Sequence, residues 1–136
     1  MNNAKVIDTW RVKPLVASEY YDSRMILDSV VAGAPTVNIN EGTLHGGGIC
    51  GGGSHEKDEI YYVTKGHAHL HLNDDIVEVQ PGSLIFIPAG TDHKIVNASQ
   101  TEDFKLLTIW LKAEDNDMYN VRLEQWGKSF KYDDED

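Results

Sequence analysis

The stretch GSLIFIPAGTDHKIVN, residues 82–97, decides how this chain folds. Leu84–Ile87 is a short apolar strand. Pro88 ends its ladder, because proline has no N–H to donate. Ala89-Gly90 makes a tight turn, and His93 opens the next strand. Gly82, Pro88, Gly90, His93 and Asn97 stand at the spacing G-x5-P-x-G-x2-H-x3-N. A histidine just past a rigid turn is well placed to point into a cavity.

Outward from this stretch, Gly and Pro punctuate short runs rich in Val, Ile, Leu, Tyr and Thr, a strand-dominated pattern. Strands are expected near Val6–Val12, Arg24–Val31, Thr36–Asn40, Glu59–Thr64, Ala68–Leu72, Ile76–Val79, Leu84–Ile87, Lys94–Asn97 and Phe104–Leu111. Asn73-Asp74-Asp75 reads as a hairpin turn. Asp117–Lys128 reads as a helix or as a turn-rich strand. Many short antiparallel strands with turn signals imply an all-β sandwich or barrel. Alternation puts Glu59, Tyr61 and Val63 on one strand face and Ile60, Tyr62 and Thr64 on the other. With Glu59 inward, Tyr61 is either a core filler or a pocket-lining donor, since a buried phenol finds a hydrogen-bond partner.

Length and charge narrow the function. A chain of 136 residues supports one core. A net charge of −10 speaks against nucleic-acid phosphates and against anionic membranes as partners. Part of that charge is the terminal run Asp133-Asp134-Glu135-Asp136, a solvated tail. No apolar run approaches the ~18–20 residues of a membrane span. The opening MNNAKVIDTW lacks the apolar core of a signal peptide, and the single Cys50 allows no internal disulfide. A cytoplasmic setting is expected.

The pattern over residues 82–97 resembles the second motif of the cupin superfamily. The first motif of that superfamily resembles G-x5-H-x-H-x3–4-E-x6-G. Gly47, His55, Glu59 and Gly66 fit it, and Gly53 stands where the first histidine of the pair is expected. The resemblance covers about residues 36–112 and selects a cupin-type jelly-roll β-barrel. Residues 1–35 would complete or extend the barrel, and residues 113–136 would form an extension ending in the acidic tail.

The resemblance also implies chemistry. His55, Glu59 and His93 supply two imidazoles and a carboxylate, a facial triad with positions open for substrate or water. Such a set accepts Fe(II), Mn(II), Zn(II), Ni(II) or Co(II). The opposing reading is a barrel in which loss of the first histidine abolishes metal binding. His45 is a possible additional ligand, a pocket-lining residue or a packing residue; Cys50 is a ligand or a small buried hydrophobe. Both lie beside flexible glycine runs. His67, His69 and His71 share a strand face opposite Ala68, Leu70 and Leu72, so they are expected outside the barrel. Tyr119, Arg122, Trp126 and Lys128 either cover a barrel mouth or pack on the sheet. The implied function is metal-dependent action on a small polar metabolite such as a sugar acid or oxyacid, of dioxygenase, isomerase or lyase type, with Tyr61 a candidate catalytic group. The alternative is a non-catalytic small-molecule-binding module. A homodimer is expected.

Overall fold

The computed structural model describes residues 4, 6–27, 37–54, 56–111 and 124. Among them run a 3-10 turn, Thr9–Arg11, and strands β1 (Leu15–Val16), β2 (Tyr21–Leu27), β3 (Val37–Leu44), β4 (Ile49–Gly51), β5 (Glu59–Lys65), β6 (Ala68–Leu72), β7 (Asp75–Val79), β8 (Leu84–Ile87), β9 (His93–Asn97) and β10 (Phe104–Leu111). One sheet has the order β1-β2-β3-β10-β5-β8 and the other β4-β9-β6-β7. All pairings are antiparallel. From β3 onward the chain lays nested hairpins across two sheets, which is the jelly roll.

The core follows from alternation. β6 turns Ala68 and Leu70 inward, β9 turns His93, Ile95 and Asn97 inward, and β10 turns Phe104, Leu106 and Thr108 inward. The β6 and β9 residues meet Leu44, Tyr61, Val63, Ile87, Phe104 and Leu106 from the facing sheet. Val12, Leu15, Met25 and Ile26 form a second cluster, packed with Ile39, Leu107 and Trp110. Ile39 and Leu107 alternate with the inward Asn40 and Leu106, so these two residues of the cluster lie on the outer face of the larger sheet.

Val6–Val12, expected as a strand, instead carries the 3-10 turn Thr9–Arg11, followed by the buried Val12. Val12 and Ile7 pack in the second cluster, whereas Val6 and Trp10 are exposed. β2 starts earlier than expected, at Tyr21, and β3 runs on to Leu44. Asn73-Asp74 forms the expected hairpin turn, with Asn73 at φ 53°. Asp117–Lys128 lies outside the described residues except for Glu124, and so do Tyr119, Arg122, Trp126 and Lys128.

Candidate functional site

The turn before β9 is fixed by its backbone. The Thr91 N–H donates to the Pro88 carbonyl at 3.1 Å. Asp58 accepts the Ala89 N–H at 2.9 Å, which gives this carboxylate a structural task outside the barrel. The Asn73 side chain accepts the Asp92 N–H at 3.0 Å, and the Asn73 N–H donates to the Asp92 carbonyl at 2.7 Å. Together these aim His93 inward, where it is 7% exposed. His93 Nδ1 lies 2.9 Å from the Thr91 carbonyl. A carbonyl only accepts, so Nδ1 carries the proton there and Nε2 faces the interior.

His93 Nε2 lies 3.4 Å from Glu59 Oε1. β9 belongs to the smaller sheet and β5 to the larger, so this pair bridges the barrel. The Glu59 carboxylate raises the His93 pKa; burial opposes the rise and the Thr91 carbonyl adds to it. The Tyr61 ring meets the His93 ring edge-on, with centroids 6.0 Å apart. Burial first, and then the Glu59 charge, hold the Tyr61 phenol well above its usual range. Cys50 packs against the same core, and its thiol is pushed up to about 11 by burial and by Glu59. A thiol so placed is inert at neutral pH.

Of the expected metal donors, Glu59 and His93 are thus brought together, and His55 lies outside the described residues. Among the described residues no group of three or more His, Cys, Asp or Glu side chains is arranged to hold a metal ion. Gly53 comes next to the site through its backbone, its carbonyl accepting the His93 N–H at 3.0 Å. Gly51, Gly52 and Gly53 have φ of 89°, 107° and 118°, and an added Cβ at Gly53 would meet nothing within 4 Å. Space is open there, but the backbone suits glycine alone.

His45 is not brought to the Glu59–His93 pair. Its Nδ1 lies 3.0 Å from Asp103 and its Nε2 3.0 Å from Asp22. It clamps β2 to the start of β10, and its pKa is raised by Asp103 first, then Asp22, against some desolvation. A folded-state pKa above the unfolded value gives stability that is complete below the unfolded pKa of about 6.5 and fades as pH rises through the folded one. The clamp is partly exposed, with 39% of the His45 side chain open, so solvent screens it. A His45→Asn protein is expected to be less stable than the parent by ~0.5–1 kcal/mol at pH 5.5, with the gap shrinking at pH 8.5 and in high salt. Urea unfolding at both pH values checks this, and a gap that widens at pH 8.5 contradicts it.

His69 lies on the outside, 3.5 Å from Glu78 of the neighbouring strand, and His67 is exposed. Ala68 and Leu70, one to either side of His69, are each 1% exposed.

Two residues not singled out from the sequence complete the interior. Tyr21, on β2, packs against the core beside Cys50, and burial holds its phenol far above the usual range. Asn40, on β3, is buried and donates from Nδ2 to the Tyr21 oxygen at 3.2 Å. A strand pattern that counts only apolar alternation does not flag either one.

The fold is shared with known proteins. Residues 31–110 match the cupin domain family. The chain belongs to the cupin family. This cupin is 33% identical over 60 residues to an uncharacterized protein of Streptomyces coelicolor, a match covering 44% of this chain and 55% of that one. It therefore spans about half the length of that relative. Its fold is similar to the polyketide cyclase RemF from Streptomyces resistomycificus, with a TM-score of 0.71 and 23% identity over 92% of this chain and 95% of that one. It is also similar to a predicted oxalate decarboxylase from Thermotoga maritima, with a TM-score of 0.71 and 22% identity over 80% of this chain and all of that one, 100%. At these identities the structural likenesses establish this cupin's jelly roll and leave its activity to its own residues.

Proposed function

We propose that this cupin binds a divalent transition metal through His55, Glu59 and His93, and acts on a small polar metabolite such as a sugar acid or oxyacid. The supporting observation is the Glu59–His93 pair, 3.4 Å apart across the barrel, with the His93 ring oriented by the Thr91 carbonyl. A backbone acceptor on one ring nitrogen is the device that fixes a ligating histidine, because it sets the tautomer and leaves the other nitrogen toward the ion. Nitrogen and oxygen donors of this kind fit Fe, Mn, Zn, Ni or Co. When bound, the ion would act as a Lewis acid on a chelating oxygen.

The chain's own groups do the rest. Glu59 supplies the negative charge that would offset the cation. Tyr61, kept protonated beside Glu59, serves as a proton donor to a bound oxygen rather than as a base. Ile87, Val63 and Leu70 belong to the apolar core that lines the interior.

Protein purified without chelator is expected to carry close to one equivalent of a transition metal by inductively coupled plasma mass spectrometry. Chelation should lower its thermal midpoint, since an ion that binds only the folded state stabilises it. Gly53, standing where the motif's first histidine is expected, supports a binding module as the second reading. Metal-free protein that gains no metal on titration, yet is stabilised by an oxyacid, would favour that module.

A further inference from the structure

Tyr21 is held in place by three neighbours on β2 and β3. The Ser23 hydroxyl donates to Asn40 Oδ1. That contact uses the amide oxygen and turns the amide nitrogen toward Tyr21, where Nδ2 donates to the phenol oxygen at 3.2 Å. Ser23 and Asn40 are both buried, so the relay is shielded from competing water. Gly42 supplies the floor. A Cβ added there would land on the Tyr21 hydroxyl, with the ring carbons Cζ and Cε1 at 2.8 and 2.9 Å. The phenol therefore occupies the space that any other residue at position 42 would fill.

A phenol carries one proton and accepts through its oxygen. Asn40 takes the acceptor role, which leaves the Tyr21 proton for another partner. Among the described residues no acceptor takes that proton. Tyr21 packs beside Cys50 on the core that also holds Tyr61; the register sets Asn40 opposite Thr108 and Thr108 opposite Tyr61, whose ring meets His93, so the phenol's partner and that ring contact lie at one level of the larger sheet's inner face. The proton is therefore available on the side of the Glu59–His93 pair.

We propose that Tyr21 is a ligand-binding residue, its phenol donating a hydrogen bond to a carbonyl or carboxylate oxygen of the small molecule held at Glu59 and His93. The inference rests on the proposed reading of that site and narrows its ligand. The molecule carries one oxygen for the Glu59–His93 end and a neighbouring acceptor oxygen for Tyr21, as an oxyacid does. Selectivity follows, because an analogue without the second oxygen strands a buried donor.

The test uses two probes, zinc and acetohydroxamate, whose carbonyl and hydroxyl oxygens are adjacent. Zinc affinity is read by competition with a chromophoric chelator, and acetohydroxamate affinity by calorimetry on the zinc-loaded protein. Tyr21→Phe is expected to leave zinc affinity within about twofold and to weaken acetohydroxamate about tenfold. Ser23→Ala releases the amide and is expected to give a smaller loss; it carries the test if circular dichroism shows Tyr21→Phe unfolded. Equal acetohydroxamate affinity in parent and variant, or none in the zinc-loaded parent, overturns the proposal. A parent that takes up no zinc defeats the metal reading instead. The same titration on metal-free protein then decides Tyr21: a loss in Tyr21→Phe upholds it, and equal or undetectable binding overturns it.

Discussion

His93→Ala is expected to fold and to lose its metal, with affinity falling by about 100-fold or more. That is beyond the 10–100-fold typical of losing a residue that merely supports a ligand. One of three expected protein bonds to the ion disappears. The barrel survives because the turn before β9 is fixed without the imidazole, by Thr91 on Pro88, Ala89 on Asp58 and Asp92 on Asn73. The thermal midpoint of the metal-free protein should fall by only a few degrees, as for a partly filled cavity. His67→Ala, on the outer surface, should keep its full metal content. A folded His93→Ala protein with full occupancy would remove the basis of the metal proposal.

Asn97→Ala is expected to bring a large loss of stability. Asn97 is 4% exposed. Its Nδ2 donates to the carbonyls of Leu44 at 3.0 Å, His45 at 3.2 Å and Glu102 at 2.8 Å, and its Oδ1 accepts the Ser99 N–H at 2.9 Å. One amide thus holds the end of β3 and the turn into β10 against β9. Alanine would strand several buried backbone groups at ~1–3 kcal/mol each, partly relieved by water. A net loss of about 3 kcal/mol is expected, or roughly 10 °C in the unfolding midpoint. Asn97→Asp should fare no better, since a carboxylate would face three carbonyl oxygens. A loss under about 1 kcal/mol in chemical denaturation would show that the staple is redundant.

Asn97 also shows what local sequence can and cannot reveal. Its place in the 82–97 pattern is plain, but its partners lie on other strands and only the folded register brings them together. β6, which alternates strictly, and β8 and β10, which are apolar-rich runs bounded by turn signals, have the ends expected from sequence. β1 has two residues and β4 three, one of them glycine, too few to carry a period. The Glu59–His93 pairing follows from two motif positions. Tyr21 and Asn40 were not legible, because a polar residue near a strand end looks like a turn residue. Only the pairing of Ser23 with Gly42 and Met25 with Asn40 brings them together. His45 sat among glycines near the motif and suggested a ligand, whereas its carboxylate partners lie 23 and 58 residues away in sequence.

The three left-handed glycines before residue 55 carry a historical consequence. Where a lineage exchanges a ligand for another residue on ordinary backbone, a single later substitution can restore it. Here the position that would carry the missing histidine has φ of 118°, next to two more residues of the same kind. A side chain placed on such backbone costs ~1–3 kcal/mol before it binds anything. Reversion must therefore cross a dip in stability, or wait for the loop to be reshaped first. A histidine introduced at position 53 alone is therefore expected to lower stability, and a search for one that is tolerated should randomise positions 51–53 together.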